Sequence, residues 1–150
     1  MNASTFEEVI ALAINKEEEA ARLYEHAQSI AKRSNARAMF EELAKQEWGH
    51  KRMLENISQE KVADYKVERV PNLKISDYLV EVAFRPDMDY QDILILAMKR
   101  EEKANALYTA LEAEATDPNA KKLFAMLAQE EANHKLRLER EYDENVLTEN

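Results

Sequence analysis

The chain says one thing twice. Glu17, Glu47 and His50 recur 84 residues later, without a gap, as Glu101, Glu131 and His134. Apolar neighbours recur in the same register: Ala13/Ala97, Leu23/Leu107, Tyr24/Tyr108, Ala36/Ala120, Phe40/Phe124, Leu43/Leu127 and Leu54/Leu138. A duplication that keeps packing residues and acids in phase restricts the fold to two copies of one unit, related by an approximate twofold axis.

Within each copy the period is helical. Ile10, Ala13, Ile14, Glu17, Ala20, Ala21, Tyr24, Ala27 and Ala31 form a stripe spaced by three and four, and so do Phe40, Leu43, Glu47, His50, Leu54 and Ile57. The second copy repeats both stripes, as Ile93, Leu94, Ala97, Met98, Glu101, Ala104, Asn105, Tyr108, Leu111 and Ala115, then Phe124, Leu127, Glu131, His134 and Leu138. Ser4 with Glu7 reads as a capping box for the first helix, expected to run to about Lys32. Ser34 and Asn35 form a polar break, Asp89 caps the third helix, and Asp117 followed by Pro118 starts the fourth. The tail from about Glu144 is expected to fray. Short breaks within each copy make its helices antiparallel neighbours. One Gly, three Pro and 34% charged residues agree with long helices and few tight turns.

The expected fold is therefore all-α: a single domain over 1–150, with repeat one at about 4–58, a crossover at about 59–88 and repeat two at about 89–143. Pro71 and Pro86 fall in the crossover, where Ser76 could cap a short extra helix carrying Tyr78, Leu79, Val82 and Ala83. A connection of that length can carry the chain back along the bundle.

Composition excludes several functions. With no cysteine there is no disulfide, thiolate metal site, iron–sulfur cluster or thiol nucleophile, and a net charge of −9 argues against nucleic acid as a partner. Met1 to Glu8 lack the basic start and apolar run of a signal peptide, and no apolar stretch reaches the roughly 20 residues that span a bilayer. A soluble, cytoplasmic protein without membrane contact is expected. No glycine-rich phosphate loop and no Ser-His-Asp arrangement can be assembled. His26 lies off the stripe and reads as a surface histidine, Trp48 as a packing residue at a helix or subunit boundary, and Met39, Met98 and Met126 as apolar filler.

Glu-x-x-His on a helix sets both side chains on one face, about a turn apart, where they can reach the same ion. One instance in an acidic chain is as readily a solvated salt-bridging pair. Here both instances sit inside apolar stripes, with Leu43 and Leu54 flanking the first. An ionised carboxylate buried there costs several kcal/mol unless paired or metal-bound. No Lys or Arg shares the stripes, whereas two divalent cations would balance Glu17, Glu47, Glu101 and Glu131, leaving His50 and His134 as neutral ligands. Glu18 and Glu19 fall off the face, and Lys103 stands where Glu19 would repeat. Carboxylate and imidazole together suit Fe(II) and Mn(II), and Zn could also occupy the pocket, since affinity alone does not select the ion.

These residues carry a resemblance. Through KEEEAARLY and KQEWGHKRML in the first half, and KREEKANALY and AQEEANHKLRL in the second, nearly the whole chain resembles the ferritin-like superfamily, and within it the rubrerythrin-like proteins. The resemblance implies a ferritin-like four-helix bundle holding two metal ions, with Glu47 and Glu131 bridging, Glu17 and Glu101 terminal, and His50 and His134 binding one ion each. It also implies Tyr24 and Tyr108 as hydrogen-bond donors to ligating carboxylates, a role to set beside that of ordinary core aromatics. Full-length rubrerythrins carry a cysteine-bound rubredoxin-type iron that this chain cannot supply, so electrons come from an external donor protein. Their extra glutamate one turn after the third-helix ligand is Ala104 here, which brings the set closer to the symmetric four-Glu, two-His pattern of bacterioferritin-type centres. The expected function is reduction of hydrogen peroxide or dioxygen by a di-iron homodimer. The alternatives are a ferroxidase that handles iron, and a structural metal-binding bundle without turnover.

Overall fold

The structure, a computed structural model, describes residues 5–65 and 83–147. They form four long helices, α1 (Phe6–Ile30), α2 (Ser34–Tyr65), α3 (Tyr90–Glu114) and α4 (Pro118–Tyr142), and a π-helical turn over Asp143–Leu147. α1 packs along α2 and α3 along α4, while smaller contacts join α1 to α3 and α2 to α4. Cross-contacts set the directions. Tyr24 of α1 meets Glu101 of α3 while Tyr108 meets Glu17, so those helices are antiparallel. His50 meets Glu130 while His134 meets Gln46, so α2 and α4 are antiparallel too. It follows that α2 and α3 run parallel. Pro71, Ser76, Tyr78, Leu79 and Val82, with the short helix expected there, lie outside the described residues, and Ala83 is exposed.

Local chemistry explains the helix ends. Asp89 accepts from the Asp92 backbone N–H and Asp117 from that of Ala120, with Pro118 opening the fourth helix as expected. The first helix starts one residue later than expected: Thr5 and Glu8, rather than Ser4 and Glu7, make the reciprocal capping box. The sequence offers both overlapping boxes, and the tertiary contact of buried Phe6 with Phe124, ring centroids 6.4 Å apart, suits the later one. α1 ends at Ile30, α2 runs seven residues beyond the expected boundary, to Tyr65, and the chain continues past Glu144 in the π turn.

Two apolar clusters fill the interior, one holding Ile10, Leu54, Leu111, Phe124 and Leu127, the other Ala27, Phe40, Leu43, Leu94 and Leu138. The repeat exchanges them. Even the Phe6–Phe124 edge contact has its counterpart in Tyr90–Phe40, 6.1 Å apart. The acids sit where the twofold axis passes between the two clusters.

Candidate metal centre

One inward position on each of α1 and α3, and two a turn apart on each of α2 and α4, place Glu17, Glu47, His50, Glu101, Glu131 and His134 in one buried cluster; every one is at most 3% exposed. Their donor atoms fall into two groups, Glu17, Glu47, His50 and Glu131, and Glu47, Glu101, Glu131 and His134, each with its donors within 4.8 Å of one another. Glu47 and Glu131 belong to both. His50 Nδ1 lies 3.0 Å from Glu47 Oε1, 3.4 Å from Glu131 Oε1 and 3.5 Å from Glu17 Oε2. His134 Nδ1 lies 3.2 Å from Glu131 Oε1, 3.2 Å from Glu101 Oε2 and 3.4 Å from Glu47 Oε1. Ligand atoms about 2.1 Å from a common ion stand about 3.0–3.4 Å apart in octahedral or tetrahedral geometry, so these separations fit.

Hydrogen bonding supports the same use. Glu17 Oε2, both oxygens of Glu47, Glu101 Oε2, Glu131 Oε1 and the Nδ1 atoms of both histidines are buried without a hydrogen-bond partner. Groups in that state are costly, and here they all face one another. The outward atoms of the same residues are occupied. Tyr24 donates to Glu101 Oε1 at 2.9 Å, and Tyr108 donates to Glu17 Oε1 at 2.5 Å. His50 Nε2 lies 2.6 Å from Glu130 Oε2 and His134 Nε2 2.6 Å from Gln46 Oε1. Since these oxygens accept, each Nε2 carries a proton, and loss of the Nδ1 proton on binding metal would turn that nitrogen's lone pair inward.

Electrostatics shows what the cluster does without cations. Burial, aided by the Glu131 charge, lifts Glu17 and Glu101 to about 7 each. Burial and three neighbouring carboxylates raise Glu47 well above the ordinary range. Burial opposes ionisation of Glu131 as well, but the imidazoliums beside it, His134 first and then His50, outweigh it and bring that carboxyl to about 2. Burial also disfavours charge on the imidazoles, yet carboxylate partners hold His50 at about 11 and His134 at about 9. Burial first, then Glu101 and Glu17 respectively, keeps the Tyr24 and Tyr108 phenols protonated. Protons limit the charge in this state; two divalent cations could replace them.

A family model for rubrerythrin matches residues 8–142. The chain belongs to the rubrerythrin family. A protein from Thermotoga maritima described as a ferritin-like diiron-carboxylate protein superposes with a TM-score of 0.86 over 97% of this chain and 99% of its own, at 21% identity. A hypothetical protein from Pyrococcus furiosus superposes with a TM-score of 0.73 at 26% identity, covering 91% of this chain and 87% of its own. None of the curated proteins compared matches the sequence. The fold is thus ferritin-like, and this rubrerythrin-family chain carries a buried Glu/His cluster able to bind metal.

The structure brings all six expected residues together, and both tyrosines touch the acids. Glu18 stays outside, 34% exposed and paired with Arg22 and Lys51, and Glu19, 39% exposed, pairs with Lys16 and Arg100. Trp48 sits between α1 and α2, bonded to Glu25 and flanked by Arg22 and Lys51. His26 is half-buried rather than a surface residue, because Phe84 packs edge-on against it at 5.1 Å. Met39 and Met98 are half-buried against an apolar cluster, but Met126 is 39% exposed. Sequence reading missed Gln46 and Glu130. They are repeat partners four residues before each histidine, and that shared register was the signal; each, however, serves the histidine of the other repeat.

None of the described helices is long and apolar enough to cross a membrane.

Proposed function

We propose that this rubrerythrin-family protein is a di-iron oxidoreductase that reduces hydrogen peroxide or dioxygen with electrons from a separate donor. Glu17, Glu47, His50 and Glu131 would hold one ion, and Glu47, Glu101, Glu131 and His134 the other. Bound there, iron would supply the two electrons that, with two protons, turn hydrogen peroxide into two molecules of water. Tyr24 and Tyr108 hold the outer oxygens of Glu101 and Glu17, aiming the inner oxygens at the site. The apolar clusters on either side exclude bulk water. Manganese or zinc would fit the same donors, but zinc has no redox change to offer.

The observation that favours this reading over iron handling is the cleft above the site. It holds about 20 Å³, room for about one water molecule. Glu17, Glu101, Glu131 and Tyr108 line it together with the small Ala20 and Ala104, and so do Lys16, Arg100 and Lys103. Among the described residues Arg100 and Lys16 share a single acid, Glu19, at 3.0 and 3.6 Å. Once the inner acids are balanced by metal, the remaining charge of the cleft is positive. It admits a small neutral oxidant and repels a stream of Fe(II).

Stopped-flow mixing of the Fe(II)-loaded protein with peroxide tests this. Rapid oxidation absorbance and peroxide consumption are expected, and continuous turnover of added Fe(II) without peroxide consumption would overturn the proposal in favour of a ferroxidase. No absorbance change would leave a structural metal role. A homodimer in solution agrees with the proposal, whereas a particle of many subunits indicates storage.

A further inference from the structure

The twofold relation holds for every ligand and for both tyrosines, but it breaks at one pair of residues that touch the site. Glu130 meets His50 Nε2 and Gln46 meets His134 Nε2, each at 2.6 Å. The two contacts have the same length and are equivalent under the repeat, yet they differ in charge: one acceptor is a carboxylate, the other an amide oxygen. Among the described residues no Lys or Arg lies in ion-pair contact with Glu130, which faces His50 instead. Its negative charge is therefore directed at the imidazole.

We propose that this difference makes the two metal positions unequal, so that they fill in order. An imidazole whose ring N–H is given to a carboxylate is a stronger donor than one bonded to a neutral amide, and the added negative charge attracts a cation directly. Glu130 makes the position of His50, Glu17, Glu47 and Glu131 the tighter one, filled first. Gln46 leaves the position of His134, Glu101, Glu47 and Glu131 weaker and exchangeable. Both are positioning residues that act through a histidine. Because the Glu130 side chain is 39% exposed, the expected difference lies near the lower end of the 10- to 100-fold range for such partners, about tenfold. The inference rests on the six residues binding two divalent cations, and is independent of whether peroxide, dioxygen or Fe(II) is the substrate.

Cobalt(II) titration of metal-free protein, followed by calorimetry and visible absorbance, reads the two steps. Diffraction at the cobalt edge with one equivalent shows which position fills. Wild type should bind in two steps about tenfold apart, with the first ion beside His50. Glu130→Gln should weaken the first step about tenfold and merge the two, and Gln46→Glu should strengthen the second and merge them from the other side. The double exchange Gln46→Glu/Glu130→Gln keeps net charge and side-chain size, so it tests placement alone, and it should move the first ion beside His134. Equal filling in wild type, or a double exchange that leaves the first ion at His50, overturns the ordering while the metal centre stands. Absence of cobalt uptake by folded wild type overturns both.

Discussion

Two places in this molecule bury acid, and they solve the problem differently. At one end of the bundle Glu141, 8% exposed, meets the Arg33 guanidinium, accepts from the Tyr90 hydroxyl at 2.6 Å and accepts from Asn145 Nδ2 at 3.0 Å. Both oxygens have donors and the charge has a counter-charge. At the centre, Glu17, Glu47, Glu101 and Glu131 have, among the described residues, no ion-pair partner but two histidines, and five of their oxygens lack a hydrogen-bond partner. A buried carboxylate is therefore not in itself the mark of a metal site. The mark is a buried carboxylate with no partner supplied by the chain.

The largest effect that could break this contrast is the loss of an acid shared by both donor groups. Glu47→Ala or Glu131→Ala should lose at least one of the two ions, as elemental analysis will show, while Glu18→Ala keeps both. Equal metal content in all three variants would erase the distinction. Chelation comes next. If each of the two ions binds with free metal about a thousandfold above its Kd, removing both costs about 8 kcal/mol, or roughly 16–32 °C in Tm for a domain of this size. Identical melting with and without chelator would show that the central acids need no cation.

Opposite signs should separate the clusters in metal-free protein under urea. Glu47→Met replaces two unpartnered oxygens by an apolar chain of similar shape and should stabilise by about 1–2 kcal/mol. Arg33→Met strands Glu141 and should destabilise by about 2 kcal/mol, less than the roughly 3–5 of a wholly buried pair because Arg33 is 38% exposed. Shifts of the same sign would refute the comparison. The smallest effect belongs to Asp117→Ala, which touches neither cluster, removes one helix cap and should cost about 1 kcal/mol, with metal content unchanged.

Much of this is legible in the sequence. The stripe positions of α2 and α4 are buried as expected, and the six central residues share one cluster, because a helix carries a three-four spacing directly into a common face. Less legible were features that depend on another helix. Neither Gln46 nor Glu130 stands out in its own helix, since its partner lies 88 or 80 residues away in the other repeat. Arg33 and Glu141 are 108 residues apart, and nothing in the pattern of either helix joins them. The Thr5 cap was missed because Ser4 with Glu7 makes the same pattern one residue earlier.

By itself the sequence determined four amphipathic helices, their pairing and the inward acids, because periodicity and duplication are properties of the chain. Tertiary structure alone decided which side chains meet across the twofold axis: Tyr24 with Glu101, Tyr108 with Glu17, Glu130 with His50 and Gln46 with His134. The physical reason is range. Helical order follows from neighbours three or four residues away, whereas charge balance and hydrogen-bond satisfaction at the centre depend on antiparallel helices that bring distant positions within 3 Å.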